Sequence, residues 1–112
     1  MEVRFRTAKF EKTCSTLKSL RREYGPRMAD VIARRLTELE AAVALSDIRA
    51  LPQARAHELR GDRDEQISLD LIHPRRLILE VGDEPVPRMA DGGLHWEAIT
   101  SVVVVGIADT HR

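Results

Sequence analysis

Two stripes of apolar residues at helical spacing, separated by Gly25-Pro26, constrain the fold of this chain more than any other feature. The apolar positions recur every three or four residues, first at Phe10, Cys14, Leu17, Leu20 and Tyr24 and then at Met28, Val31, Ile32, Leu36, Leu39 and Val43. This spacing predicts two amphipathic helices, the first with Thr7 as its N-cap and the second ending near Leu45. Glycine commonly ends a helix and proline fits the first turn of the next one. We therefore expect an antiparallel helical hairpin.

Strand patterns lie on both sides of this hairpin. Apolar and polar residues alternate over residues 2–6 and again over 66–72, and residues 102–107 are almost wholly apolar. His73-Pro74 predicts a tight turn into a return strand over 76–81. Residues 46–65 are predicted to be a polar loop with room for one helical turn, and residues 82–95 a surface loop. The predicted order is β-α-α-β-β-β in one α+β domain spanning residues 1–112.

Composition narrows the classes of function. The net charge is zero, with residues 1–60 carrying an excess of five positive charges and the rest an equal negative excess. This balance argues against tight autonomous binding of nucleic acid, and four aromatic residues are too few for a base-stacking platform. The single cysteine, Cys14, is predicted to lie in the core and is typical of a reducing compartment. We expect a cytoplasmic protein, because there is neither a membrane-spanning run nor a signal-peptide pattern.

Two polar segments carry the candidate chemistry: residues 57–63, which contain His57, Arg60 and Arg63, and the last four residues, which contain Asp109 and His111. Imidazole can exchange protons near neutral pH, and the planar guanidinium suits phosphate oxygens. If the last strand brings the tail beside the central loop, these groups could cleave a phosphodiester without a metal. The alternatives are a solvated loop histidine, arginines that only confer solubility, and a frayed terminus.

Other motifs are weaker. The four histidines lack the short spacing of a metal site, there is no glycine-rich phosphate loop, and we expect neither metal nor cofactor. Trp96 follows Gly92-Gly93 and is predicted to anchor that loop. Arg76, near the start of its strand, and Arg63 are predicted to hold phosphates.

Nearly the whole chain resembles toxins of the RelE/ParE superfamily, specifically the HigB-type "plasmid maintenance system killer" group, both in its β-α-α-β-β-β order and in the ordered motifs of its second half. The similar segments are Leu51-Pro52, His57-x-Leu59-Arg60-Gly61-x-Arg63, Gln66-Ile67-Ser68-Leu69, Arg75-Arg76-Leu77-Ile78, the loop from Pro85 to Gly93, and Asp109-Thr110-His111. The resemblance implies a RelE-like domain in which the helical hairpin packs on a mixed, mostly antiparallel four-stranded sheet. It also implies a ribosome-dependent mRNA endonuclease that is neutralised by a HigA-like helix-turn-helix antitoxin. The toxin would contact operator DNA only through this antitoxin.

Within this resemblance, His57, Arg60, Asp109 and His111 are the expected catalytic residues. Asp109 or His57 would accept the ribose 2′-OH proton, Arg60 would stabilise charge on the phosphorane, and His111 would protonate the leaving oxygen. Two other functions remain open. One is a non-catalytic toxin similar to the ParE branch, which inhibits DNA gyrase, and the other is an inactive relative that only binds its toxin-antitoxin partner.

Overall fold

A computed structural model describes residues 1–109 as an α+β fold with four α-helices and a five-stranded mixed sheet. The helices are α1 (Ala8–Cys14), α2 (Leu17–Tyr24), α3 (Pro26–Ala41) and α4 (Leu45–Arg49). The strands are β1 (Glu2–Phe5), β2 (His57–Glu58), β3 (Ile67–Asp70), β4 (Arg75–Val81) and β5 (Ser101–Asp109). Short 3₁₀ turns occupy Gly61–Arg63 and Trp96–Ala98.

The sheet has the strand order β1-β5-β4-β3-β2. β1 runs parallel to β5, and the other neighbours are antiparallel. The predicted α+β class and mixed sheet are confirmed, but the predicted number of four strands is wrong for the described residues. The additional strand is β2, which has only two residues and lies in the predicted polar loop. Its exposed, charged sequence gave no apolar alternation that could reveal it.

The predicted first helix is divided in two at Ser15-Thr16. The hydroxyl of Ser15 donates to the carbonyl of Lys12 (2.6 Å), and the hydroxyl of Thr16 accepts from the backbone N–H of Ser19 (3.0 Å). Such local bonds compete with the helical ladder, so a serine-threonine pair can end one helix and cap the next. The predicted N-cap is confirmed, because Thr7 Oγ1 accepts from the backbone N–H of Phe10 (3.2 Å).

The turn at Gly25-Pro26 is confirmed. Gly25 has a φ of 82°, a region that favours glycine, and Pro26 begins α3. However, α3 ends at Ala41 rather than near Leu45, and α4 follows as a separate helix. The carboxylate of Asp47 accepts the backbone N–H groups of Val43 (2.9 Å) and Ala44 (3.2 Å), which fixes the entry into α4.

The helices pack on one face of the sheet. The main core cluster joins apolar residues of α3 and α4 to alternate residues of the sheet, among them Leu39, Ile48, Ile67, Leu69, Leu77, Leu79, Val102 and Val104. A smaller cluster joins α2 to α3 through Leu20, Ala29 and Ile32, and the partly buried Cys14 packs against it as predicted. No helix within residues 1–109 is long and apolar enough to cross a membrane.

Trp96 anchors its loop, as the sequence predicts. The indole is 2% exposed, and its Nε1–H donates to Glu58 Oε2 (2.9 Å). The guanidinium of Arg49 lies 3.8 Å from the centre of the ring. The loop over 82–95 is therefore tied to both α4 and β2.

The second face of the sheet carries polar side chains. Because side chains alternate along a strand and paired residues share a face, the register assigns one set of residues to this face. We call it the polar face; it consists of His57 on β2, Gln66, Ser68 and Asp70 on or beside β3, and Arg76, Ile78 and Glu80 on β4.

Candidate functional site

His57 lies at the edge of the polar face, opposite Ser68 of the neighbouring strand. Its Nδ1 is 3.1 Å from the carbonyl oxygen of Arg55, and its Nε2 is 3.3 Å from the hydroxyl of Ser68. The imidazole is exposed, whereas Ser68 is fully buried. The imidazole of His57 is thus open to solvent, and the buried hydroxyl of Ser68 in the sheet orients it.

The backbone bends next to this histidine. Arg55 has a φ of 44°, an uncommon conformation for a residue with a side chain. Asp70 N–H donates to Ala54 O (2.7 Å), while His57 pairs with Ser68, so Arg55 and Ala56 lie in an irregular stretch of this edge. Such strain costs of order 1 kcal/mol and is common at functional sites. Here it accompanies the contact between the Arg55 carbonyl and the imidazole.

Asp70 lies between two guanidinium groups on the same face. Its Oδ1 accepts from Arg76 NH1 at 2.9 Å, and its Oδ2 is 3.6 Å from Arg55 Nε. The Arg76 side chain is 16% exposed and that of Asp70 24%, so this pair is partly withdrawn from water. Arg55 is much more exposed and extends towards solvent. Two positive charges therefore flank one negative charge beside His57.

Arg63 belongs to a second polar chain on this face. Its NH1 donates to Gln66 Oε1 (3.0 Å), and Gln66 Nε2 donates to Glu80 Oε2 (2.7 Å). The other oxygen of Glu80 forms an ion pair with Arg6, which follows β1. These contacts hold Arg63 at one end of a row of side chains that crosses the sheet.

Arg60 is exposed and stands immediately before the 3₁₀ turn that contains Arg63. Its side chain makes no hydrogen bond or ion pair within residues 1–109. Its guanidinium therefore adds a positive charge to the exposed surface of this loop.

The structure does not bring Asp109 beside His57. β5 and β2 are separated by β4 and β3, which places their backbones roughly 14 Å apart across the sheet. Ala108 pairs with Arg76 on the polar face, whereas Asp109 pairs with Arg75, so its side chain belongs to the helix-covered side. The prediction of one surface containing both residues is wrong for Asp109. His111 lies outside the described residues, and its predicted role stays a prediction.

Sequence reasoning missed several residues on or beside the polar face. Arg55 falls in the predicted polar loop, and Ser68 is a polar position of the alternating pattern over 66–72 although it is completely buried. Gln66 and Glu80 belong to predicted strands but form a contact only because β3 and β4 pair in one particular register. Alternation shows which residues share a face of one strand, but it does not give the register between strands.

The histidine and arginines of the polar face can perform acid-base chemistry and bind anions. An exposed imidazole can take a proton, and guanidinium groups at fixed positions can hold phosphate oxygens. Within residues 1–109, no group of three or more His, Cys, Asp or Glu side chains is placed to hold a metal ion. A scan against models of known protein families finds no match, and a search of curated proteins finds no significant similarity.

Proposed function

We propose that this protein is an endoribonuclease that cleaves mRNA on the ribosome and acts as the toxin of a type II toxin-antitoxin module. The observation that carries the proposal is the exposed imidazole of His57 on the same sheet face as Arg76 and Arg55, with Arg63 at its border. These groups combine a proton acceptor with binding positions for phosphates. The resemblance of the ordered motifs to HigB-type toxins supplies the choice of substrate.

In the proposed reaction, the ribose 2′-OH gives its proton to His57 as its oxygen bonds to the adjacent phosphorus. The bond from phosphorus to the 5′ oxygen then breaks, leaving a 2′,3′-cyclic phosphate and a 5′-OH. Arg76 and Arg63 hold phosphates, and Arg60 stabilises charge on the phosphorane. His111 would protonate the leaving oxygen. Asp109, whose side chain lies on the other side of the sheet, takes no proton in this reaction.

The proposal includes the ribosome because the net charge of the protein does not favour binding of free RNA. A net-neutral chain gains little from counterion release on free RNA, and 4% aromatic residues offer few surfaces for base stacking. Presentation of mRNA by the ribosome would supply the affinity that the protein lacks. As part of the same proposal, the protein is cytoplasmic and is neutralised by a HigA-like helix-turn-helix antitoxin, through which it reaches operator DNA.

The test is induced expression followed by mapping of transcript 5′ ends. Cuts in phase with codons are expected, and they should persist with purified ribosomes in chelator under conditions that leave the ribosomes intact. General acid-base steps typically contribute about 10² to 10⁴-fold, so His57→Ala should reduce cleavage by that order. His95→Ala is the matched control, because this half-buried histidine lies in the separate loop over 82–95.

Three outcomes would contradict the proposal: uncut transcripts, cuts without codon phase, or equal effects of the two histidine substitutions. Growth arrest with DNA breaks and intact transcripts would instead support the gyrase-directed alternative.

A further inference from the structure

The two ring nitrogens of His57 contact different kinds of atom. Nδ1 lies 3.1 Å from the carbonyl oxygen of Arg55. A carbonyl has no proton to give, so this contact is a hydrogen bond only when Nδ1 carries the hydrogen. In the neutral imidazole, Nε2 then has the lone pair. It lies 3.3 Å from Ser68 Oγ, whose hydroxyl can donate to it.

The burial of Ser68 also favours this contact. It is completely buried, and a buried hydroxyl without a partner carries the cost of its lost hydration. The contact with His57 Nε2 is the one hydrogen bond that this hydroxyl makes within residues 1–109. The carbonyl of Arg55 on the bent backbone and the hydroxyl of Ser68 on β3 therefore favour the same tautomer of the imidazole.

We propose that Ser68 is a positioning residue that, with the carbonyl of Arg55, holds His57 in its Nδ1–H tautomer and makes Nε2 the proton acceptor of the site. The catalytic consequence rests on the proposed function. A substrate hydroxyl would give its proton to this Nε2 as its oxygen bonds to phosphorus.

The resulting imidazolium also has partners. It keeps the bond from Nδ1–H to Arg55, and its new Nε2–H can donate to Ser68 Oγ, because a hydroxyl rotates and both donates and accepts. The same two groups thus accommodate His57 before and after proton transfer. Of the two acceptors that the sequence left open, Asp109 faces the other side of the sheet, and His57 is the one on the polar face.

The direct test is nuclear magnetic resonance of protein labelled with ¹⁵N-histidine, at alkaline pH where imidazoles are neutral. His57→Gln identifies the His57 signals by their loss. In the wild type, Nδ1 is expected to have the shift of a protonated nitrogen and Nε2 that of an unprotonated one. In Ser68→Ala, both shifts should move towards the average of exchanging tautomers.

Ser101→Ala is the matched control. Ser101 is also a buried serine of the sheet, but its hydroxyl has no hydrogen-bond partner among residues 1–109, so its removal should leave the His57 signals unchanged. A wild-type His57 protonated on Nε2 would overturn the inference. So would a Ser68→Ala spectrum identical to that of the wild type, or an equal change in the control.

Cleavage gives the second measurement. Ser68→Ala should retain His57 but lose one orienting hydrogen bond, which corresponds to roughly a twofold to tenfold loss of rate. Ser101→Ala should retain the wild-type rate. If the wild type cuts no RNA, the proposed function fails while the tautomer measurement still stands by itself. If it cuts RNA but Ser68→Ala cuts equally fast, the positioning role fails and the proposed function does not.

Discussion

Replacing the buried Arg35 of α3 should destabilise the protein strongly and disturb the polar face from below. The residue is only 4% exposed. Its Nε donates to the carbonyl of Asp70 (2.8 Å), its NH2 to the carbonyl of Gln53 (3.0 Å) and its NH1 to Glu38 Oε1 (3.1 Å). One side chain thus joins the helical layer to the end of β3 and to the segment that leads into β2.

The magnitude follows from the groups that would lose their partner. Arg35→Ala leaves two partly buried carbonyl oxygens without this donor, and an unsatisfied acceptor costs about 1–3 kcal/mol where it is buried. We expect the free energy of unfolding to fall by about 2–5 kcal/mol, a large part of the 5–15 kcal/mol that is typical for a small domain. Arg35→Lys should fall between the wild type and Arg35→Ala, because an ammonium retains the charge but lacks the planar fork.

The assay is urea denaturation followed by circular dichroism, with Arg34→Ala as the matched control. Arg34 is the preceding residue of the same helix and is exposed, so its removal should change stability by less than about 0.5 kcal/mol. A loss below about 1 kcal/mol for Arg35→Ala, or equal losses for the two variants, would refute this account of the buried arginine.

Three further predictions concern charge and reactivity. Arg63→Ala and Arg76→Ala should each weaken RNA binding and lower the slope of log affinity against log salt by about one, as measured at several salt concentrations; unchanged slopes would mean that neither holds a phosphate. The hydrogen bond from Arg88 lowers the pKa of Glu65. The pair therefore stabilises the fold fully at pH values above the ordinary pKa of glutamate, and this contribution is lost as the pH falls through the lowered pKa. Stability of Glu65→Gln and wild type should therefore converge in acid, and a difference that grows on acidification would contradict this. Burial raises the pKa of the Cys14 thiol to about 11, so alkylation at pH near 8 should be much slower in the folded than in the urea-unfolded protein; equal rates would show an accessible thiol.

The fold was predictable where one physical signal dominated. The apolar stripes, the Gly25-Pro26 turn and the buried β5 each follow from periodicity or from a residue with restricted backbone angles. The break at Ser15-Thr16 was not predictable, because the apolar stripe continues through it and side-chain hydrogen bonds decide the outcome. β2 was hidden for a related reason, since its two polar residues form a strand only through pairing with β3.

The candidate site was predictable residue by residue but not as an arrangement. His57, Arg63 and Arg76 have suitable chemistry, and the structure places all three on or beside the polar face. Asp109 has equally suitable chemistry but belongs to the other side, because one step along an extended strand reverses the side-chain direction. Ser68 carried no signal by itself, since its contact with His57 depends on the register of two strands.

The position of Asp70 between Arg55 and Arg76 makes anion binding at this face an exchange reaction. A phosphate that reaches Arg76 competes with a carboxylate that is already bonded to its NH1, so the guanidinium binds anions more weakly than an unpaired arginine would. Dilute anions in solution lose this competition, whereas a strand held beside the face at high effective concentration can win it. The carboxylate of Asp70 therefore makes binding at Arg76 depend on the effective concentration at which phosphates are presented.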